Sequence, residues 1–413
     1  MAQLSLSPRL KTMGINTLLS MGGILFALGV MEIALRILGV SYPSFYRPEE
    51  QRGHALIPNL SGLWTHEGRG EVKINSDGLR DGEHIVPKPP QTYRIAVLGD
   101  SFAEAIQVDA PQAFWAVMEQ ELSQCPALEG QRVEVINFGV GDYGTAQQLM
   151  TLRTQVGKYE PDLILLQIFT GNDLVNNSRA LSPGDRLAPF WLKDAQGNWA
   201  MDFSFQTTPT YQRRRSALRQ LVFTLINHSR VLQVLNEAKR AIVQGRPLAT
   251  AQPQDSLDAL IPSLDFDANL YRPPTTPAWQ EAWQITESLI GQIHRESQQQ
   301  GADFVAVTLS NPPQVYPKNF EALQTKLKEL GAENLFYPDQ RLAQLGQKEN
   351  FPVITLAPYL QRYSQEQQVF LHGFANTAFG VGHWNAAGHQ LAGAKIATEL
   401  CRGLTKTTKP GPS

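Results

Sequence analysis

The sequence predicts an α/β domain built on a five-stranded parallel sheet with helices on both faces, preceded by an N-terminal transmembrane helix and interrupted by a helical insertion. Three observations carry this. From Tyr93 onward, short apolar runs bounded by turn residues alternate about five times with helix-period segments. The runs are apolar almost throughout, as strands covered on both faces are. Near the N-terminus, Thr12 to Met31 are 20 consecutive uncharged, mostly apolar residues.

At a rise of about 1.5 Å per residue those 20 residues reach about 30 Å, one bilayer core. A cleavable signal peptide is the rival reading, but its apolar region is usually about 7–15 residues long and ends in small residues of A-x-A type. No such site precedes Ser41, so residues 1–40 are read as an uncleaved single-pass anchor. Arg9 and Lys11 before the span, against Arg36 after it, set the N-terminus on the cytoplasmic side and the rest of the chain on the extracytoplasmic side.

Residues 41–92 hold "YPSFYRPEEQRGH" and "PKPPQ", breaker-rich segments that read as a stem. The main domain spans 93–402, with strands expected at 93–99, 133–139, 162–169, 303–309 and 352–356 and helices including 113–124 and 145–159. Residues 174–275 break the rhythm and are read as an insertion over the active face, with a Pro-rich, strandless tail. Its helical part, 211–244, carries Leu218, Leu221, Val222, Leu225, Ile226, Val231, Leu232 and Leu235 on one stripe, opposite Arg213, Arg214, Arg219 and Lys239. That stripe either packs on the domain or serves as a lid or membrane-surface helix. Residues 403–413 read as a flexible tail.

Composition narrows the function. Lys plus Arg number 36 against 38 Asp plus Glu, so no basic excess points to nucleic acid. The two cysteines, Cys125 and Cys401, form no metal-binding pattern, and no cofactor or metal is expected.

Four segments could carry chemistry, and in a parallel sheet ligands bind beyond the carboxyl ends of the strands. In "RIAVLGDSFAEA" a buried strand runs into Gly99-Asp100-Ser101, which fits a presented nucleophile or a helix cap. In "VINFGVGDYGTAQQL" glycines after Asn137 let backbone N–H groups approach a ligand. In "LLQIFTGNDL" Asn172 follows a third strand, and in "GVGHWNAAGHQLAGAKIATEL" His383 precedes the C-terminal helix that holds His389. Together they offer a nucleophile, a base and oxyanion donors.

Taken in order, GDSF at 99–102, the Gly-rich turn after Asn137, GND at 171–173 and HWNAAGH at 383–389 resemble the four blocks of SGNH (GDSL-like) hydrolases, over about 93–402. The resemblance implies a flavodoxin-like three-layer α/β/α fold. It implies that Ser101 attacks an ester carbonyl, His383 takes its proton, and backbone N–H groups and Asn172 hold the oxyanion. Asp142 stands in for the glycine whose N–H faces the oxyanion, with Gly139 or Gly141 as alternatives. "INSDGLRDGEH" (74–84) also resembles a segment preceding the first strand in some bacterial members, its role open.

The pattern departs in one place. Such families usually carry an Asp three residues before the base, and here that residue is Gly380. The orienting acid is then absent, replaced by a backbone carbonyl, or displaced, with Asp142 and Asp339 as candidates. The order 2-1-3-4-5 places the first and last helices on one face, so that Cys125 and Cys401 meet in a disulfide, two free thiols being the alternative. The function expected is hydrolysis of a carboxylic ester, an O-acyl group of an envelope glycan or a lipid, through an acyl-enzyme. O-acyl transfer to a polysaccharide, and a catalytically weak binding module, are the alternatives.

Overall fold

The computed structural model describes residues 8–408 apart from 183, 244–259 and 265. The last residues of the expected tail, 409–413, lie outside them, while 403–408 continue the final helix rather than forming a flexible end. The described residues form two compact units. One comprises 8–44, 61–63 and 216–243; the other holds the remainder.

Five strands, β1 (Thr92–Leu98), β2 (Arg132–Asn137), β3 (Leu163–Ile168), β4 (Asp303–Thr308) and β5 (Val353–Thr355), form one parallel sheet of order 2-1-3-4-5. That is the flavodoxin-like order. Side chains alternate along each strand. Ile95 and Val97 pack with Phe114, Met118 and Ile396, whereas Ala96 and Leu98 pack with Leu149, Trp283 and Leu289. Both faces are therefore buried, which is why the strands read as nearly continuous apolar runs.

In chain order the principal helices are α1 (Pro8–Ile37), α2 (Ser101–Glu104), α3 (Phe114–Leu122), α4 (Thr145–Thr151), α5 (Thr170–Asn177), α6 (Pro209–Arg215) and α7 (Ala217–His228). They continue as α8 (Arg230–Val243), α9 (Pro277–Gln299), α10 (Phe320–Glu329), α11 (Tyr337–Glu349), α12 (Ala357–Gln367) and α13 (Ala386–Thr408). Helix α3, after the first sheet strand, and the last helix, α13, pack on each other, and Cys125 and Cys401 are joined by a disulfide, their Cα atoms 5.7 Å apart.

The segment 174–275 differs from its sequence reading in two ways. It contains an antiparallel hairpin, Phe190–Lys193 with Trp199–Asp202, where no strand was expected. The turn is built by Asp194, whose carboxylate accepts from Gln196 N and Asn198 N, and by Gly197 at φ +86°. The single helix expected over 211–244 is three, because Ser216 and Ser229 adopt extended backbone. Its apolar stripe does not pack: Leu218, Leu221, Val222 and Leu225 are exposed, and only Val231 is buried. In α1, Thr12–Ile37 is long and apolar enough to cross a membrane, and none of it is buried.

Candidate active site

The turn that carries Ser101 is set by side chains around it. Gly99 follows β1, and a Cβ there would lie 2.2 Å from Gln167 Oε1, the atom that accepts the Asp100 N–H at 2.9 Å. Asp100 caps α2, its Oδ1 accepting from Phe102 N at 2.9 Å, and its Oδ2 accepts from Asn172 Nδ2 at 3.0 Å. Ser101 thus stands at the first helical position beyond a strand end, half-buried.

The Ser101 hydroxyl donates to His383 Nε2 at 2.7 Å, and His383 Nδ1 donates to Glu67 Oε2 at 2.5 Å. The carboxylate accepts only, which places the imidazole proton on Nδ1 and leaves Nε2 free to take a proton from serine. Glu67 Oε1 also accepts the His383 backbone N–H at 2.8 Å. Burial lowers the affinity of His383 for a proton, but the hydrogen bond and charge of Glu67, with Asp100 and Glu104 further off, outweigh it and raise its pKa above 6.5. Glu67 moves down from 4.5, because its contacts with His383 overcome its own burial.

The displaced acid is therefore neither Asp142 nor Asp339. Asp142 Oδ1 accepts from Arg186 at 3.0 Å, and buried Asp339 accepts from Gln314 at 2.7 Å and from Thr308. Glu67 lies in the segment 41–92 read as a stem, in a stretch that the sequence reading did not single out. Its loop is fastened onto the histidine loop by Asn376, whose side chain accepts from Gly68 N at 2.9 Å and donates to Gly68 O at 2.8 Å. Two glycines of "FGVGH" shape this contact. A Cβ on Gly380 would sit 2.3 Å from the Tyr316 ring, so the space there is filled, and one on Gly382 would sit 2.1 Å from Glu67 Oε1, so that glycine makes room for Glu67.

The oxyanion candidates sort by where their N–H groups point. Gly139 N donates to Asn137 Oδ1 at 3.0 Å and Gly141 N to Glu104 Oε2 at 2.7 Å, so both N–H groups are engaged within the protein. Asp142 has φ +64°, its side chain is 70% exposed toward Arg186, and among the described residues nothing accepts its N–H or that of Ser101. Asn172 spends one amide hydrogen on Asp100 and keeps a second.

The loop rests on a buried support. Glu104 accepts from Tyr46 Oη at 2.8 Å and from Gly141 N, and burial pushes its carboxyl up to about 7 despite these contacts. Arg80, from "INSDGLRDGEH", donates to Glu104 O at 3.0 Å; Asp81 accepts from Asn137 N at 2.8 Å. That segment is a turn that braces the first two blocks.

No family model and no curated protein matches the chain. Among solved structures it is similar to an acetyl xylan esterase, AlAXEase, at 10% identity over 74% of this chain and 99% of that one, with a TM-score of 0.37. It is similar to a lipase/acylhydrolase from Enterococcus faecalis at 16% identity over 78% and 100%, TM-score 0.34. A third is the acetylxylan esterase Axe2 from Geobacillus stearothermophilus, at 9% identity over 76% and 96%, TM-score 0.36. At such identities and TM-scores the likeness assigns no function to this chain, whose function rests on the residues at the strand ends.

Proposed function

We propose that this chain is a serine hydrolase that cleaves a carboxylic ester through an acyl-enzyme. The observation that carries the reading is the continuous hydrogen-bonded row Ser101, His383, Glu67 at the carboxyl end of β1. Ser101 Oγ attacks the ester carbon while His383 Nε2 takes its proton, and the tetrahedral oxyanion is held by Ser101 N–H, Asp142 N–H and Asn172 Nδ2. His383 returns the proton to the leaving alkoxide. Water then attacks the acyl-enzyme with His383 again as base, releasing the acid and restoring Ser101. Glu67 beside Nδ1 speaks against the reading as a decayed binding module, which rested on a vacant acid position.

The chain works at an envelope membrane in this reading: α1 is an uncleaved anchor, and the domain lies on the extracytoplasmic side, where the Cys125–Cys401 disulfide persists. An O-acylated glycan or a lipid is the substrate class such a placement serves. The test is hydrolysis of p-nitrophenyl acetate by the full chain in detergent, with Ser101→Ala alongside. Turnover and fluorophosphonate labelling that both vanish in Ser101→Ala are expected. Wild-type protein that is neither turned over nor labelled would overturn the proposal, whereas labelling without hydrolysis would redirect it to acyl transfer.

A further inference from the structure

The apolar stripe of α7 faces the wrong way for a helix in water. Leu218, Leu221, Val222 and Leu225 are 72%, 56%, 41% and 53% exposed. At about 100° per residue they fall in one sector of about 100°, and the half-buried Gln220, Phe223, Ile226 and Asn227 fill the other side. The rotation is fixed by Asn227, whose side chain accepts from Ser44 N at 2.9 Å and donates to Ser44 O at 3.1 Å. In α8, Leu235 and Ile242 are exposed as well.

The turn joining α7 to α8 is tied to α1 at one level. Glu32 accepts from Ser229 Oγ, Arg230 N and Val231 N, each at 3.0 Å, and Arg36 donates to His228 O at 2.7 Å. Glu32 is the first charged residue after the uncharged run Thr12 to Met31, which is where a helix crossing a bilayer leaves its apolar core. With α1 across a bilayer, this tie would hold the turn at the depth of the head groups. Residues 217–243 contain four basic side chains, Arg219, Arg230, Lys239 and Arg240, and one acidic, Glu237, a balance that suits anionic lipid.

We propose that α7 and α8 form an interfacial hairpin lying in the bilayer surface, with the leucine face of α7 in the boundary of the acyl chains of the membrane that α1 crosses. Such helices sink about 5–10 Å and bind through apolar area plus charge. The proposal rests on α1 being a membrane span, and it gives the chain a second, independent hold on the lipid.

The experiment uses the full chain with single cysteines, Leu221→Cys, Leu225→Cys or Thr224→Cys, labelled with NBD while the native disulfide stays closed. Each variant is reconstituted into phosphatidylcholine–phosphatidylglycerol vesicles. Labels at 221 and 225 should be quenched by a lipid nitroxide near the ester level at least about threefold more than the label at 224, which lies off the stripe. Water-like, unquenched labels on protein that resists alkaline carbonate would overturn the hairpin and leave the anchor intact. Labels shielded from water yet unquenched by lipid would mean that protein, such as a second copy, covers the stripe, and would overturn it too. Release by carbonate would overturn the anchor and the hairpin together.

Discussion

Replacing Glu67 by Gln keeps size and shape and removes one charge. The amide can still accept the His383 backbone N–H through its oxygen, which turns its NH2 toward Nδ1. The imidazole must then carry its proton on Nε2, where it cannot accept the Ser101 proton. With charge centres about 4 Å apart and an effective dielectric of about 20, the lost attraction to an imidazolium is about 4 kcal/mol. The two side chains are 25% and 20% exposed, so solvent screens part of this. At 1.36 kcal/mol per factor of ten, kcat should fall by about 10²–10³-fold. The assay is p-nitrophenyl acetate hydrolysis by the full chain across the pH range. Glu67 raises the His383 pKa, and the base works only when neutral, so wild-type activity falls as pH drops through a value above 6.5. Without the carboxylate that acid limb moves to lower pH. A Glu67→Gln enzyme within about threefold of wild type, with its limb unmoved, would refute the assignment of Glu67 as the partner of His383.

Asn172→Ala should lower kcat about 10²-fold with little change in KM, since the donor acts on charge that develops only in the transition state; an unchanged kcat would remove it from the oxyanion site. Cys401→Ser should lower unfolding stability by about 2–4 kcal/mol in denaturant titrations, because the bridge closes a separation of 276 residues, and an unmoved midpoint would contradict this. Glu104 has its folded pKa raised from 4.5 to about 7, so its contribution is fully present below about 4.5 and is lost as pH rises through about 7. Wild-type stability relative to Glu104→Gln should therefore decline over that window by about 3 kcal/mol, and a flat difference would show that Glu104 is not held protonated.

Much of this was legible because the physics is local. Strands buried on both faces are apolar at most positions, so β1 to β4 stand out, and the segments beyond strand ends carry Ser101 and Asn172, with His383 before the last helix, in plain order. The topology made a Cys125–Cys401 disulfide one of two readings, since α3 and α13 share one face, and the bond is present. What stayed hidden depends on contacts across the chain. Glu67 gives no periodic signal, and its role exists only because Asn376 and two left-handed glycines bring its loop to His383. Gly139 and Gly141 read as donors by position, but the partners that occupy their N–H groups, Asn137 and Glu104, could not be read from spacing. The α7 stripe was readable as apolar; which way it faces was decided by Asn227 and Glu32, residues that a hydrophobic pattern does not weigh.

The order in which the three hydrogen-bonded residues leave the ribosome is Glu67, Ser101, His383, and Glu67 sits outside the stretch that motif blocks delimit. A truncation cut at Tyr93, the boundary that strand patterns suggest, would retain serine and histidine and discard the carboxylate, together with the Tyr46 and Arg80 supports. Such a fragment would carry every recognisable block and yet lack the carboxylate beside His383, so inactivity in it would say nothing about the whole protein.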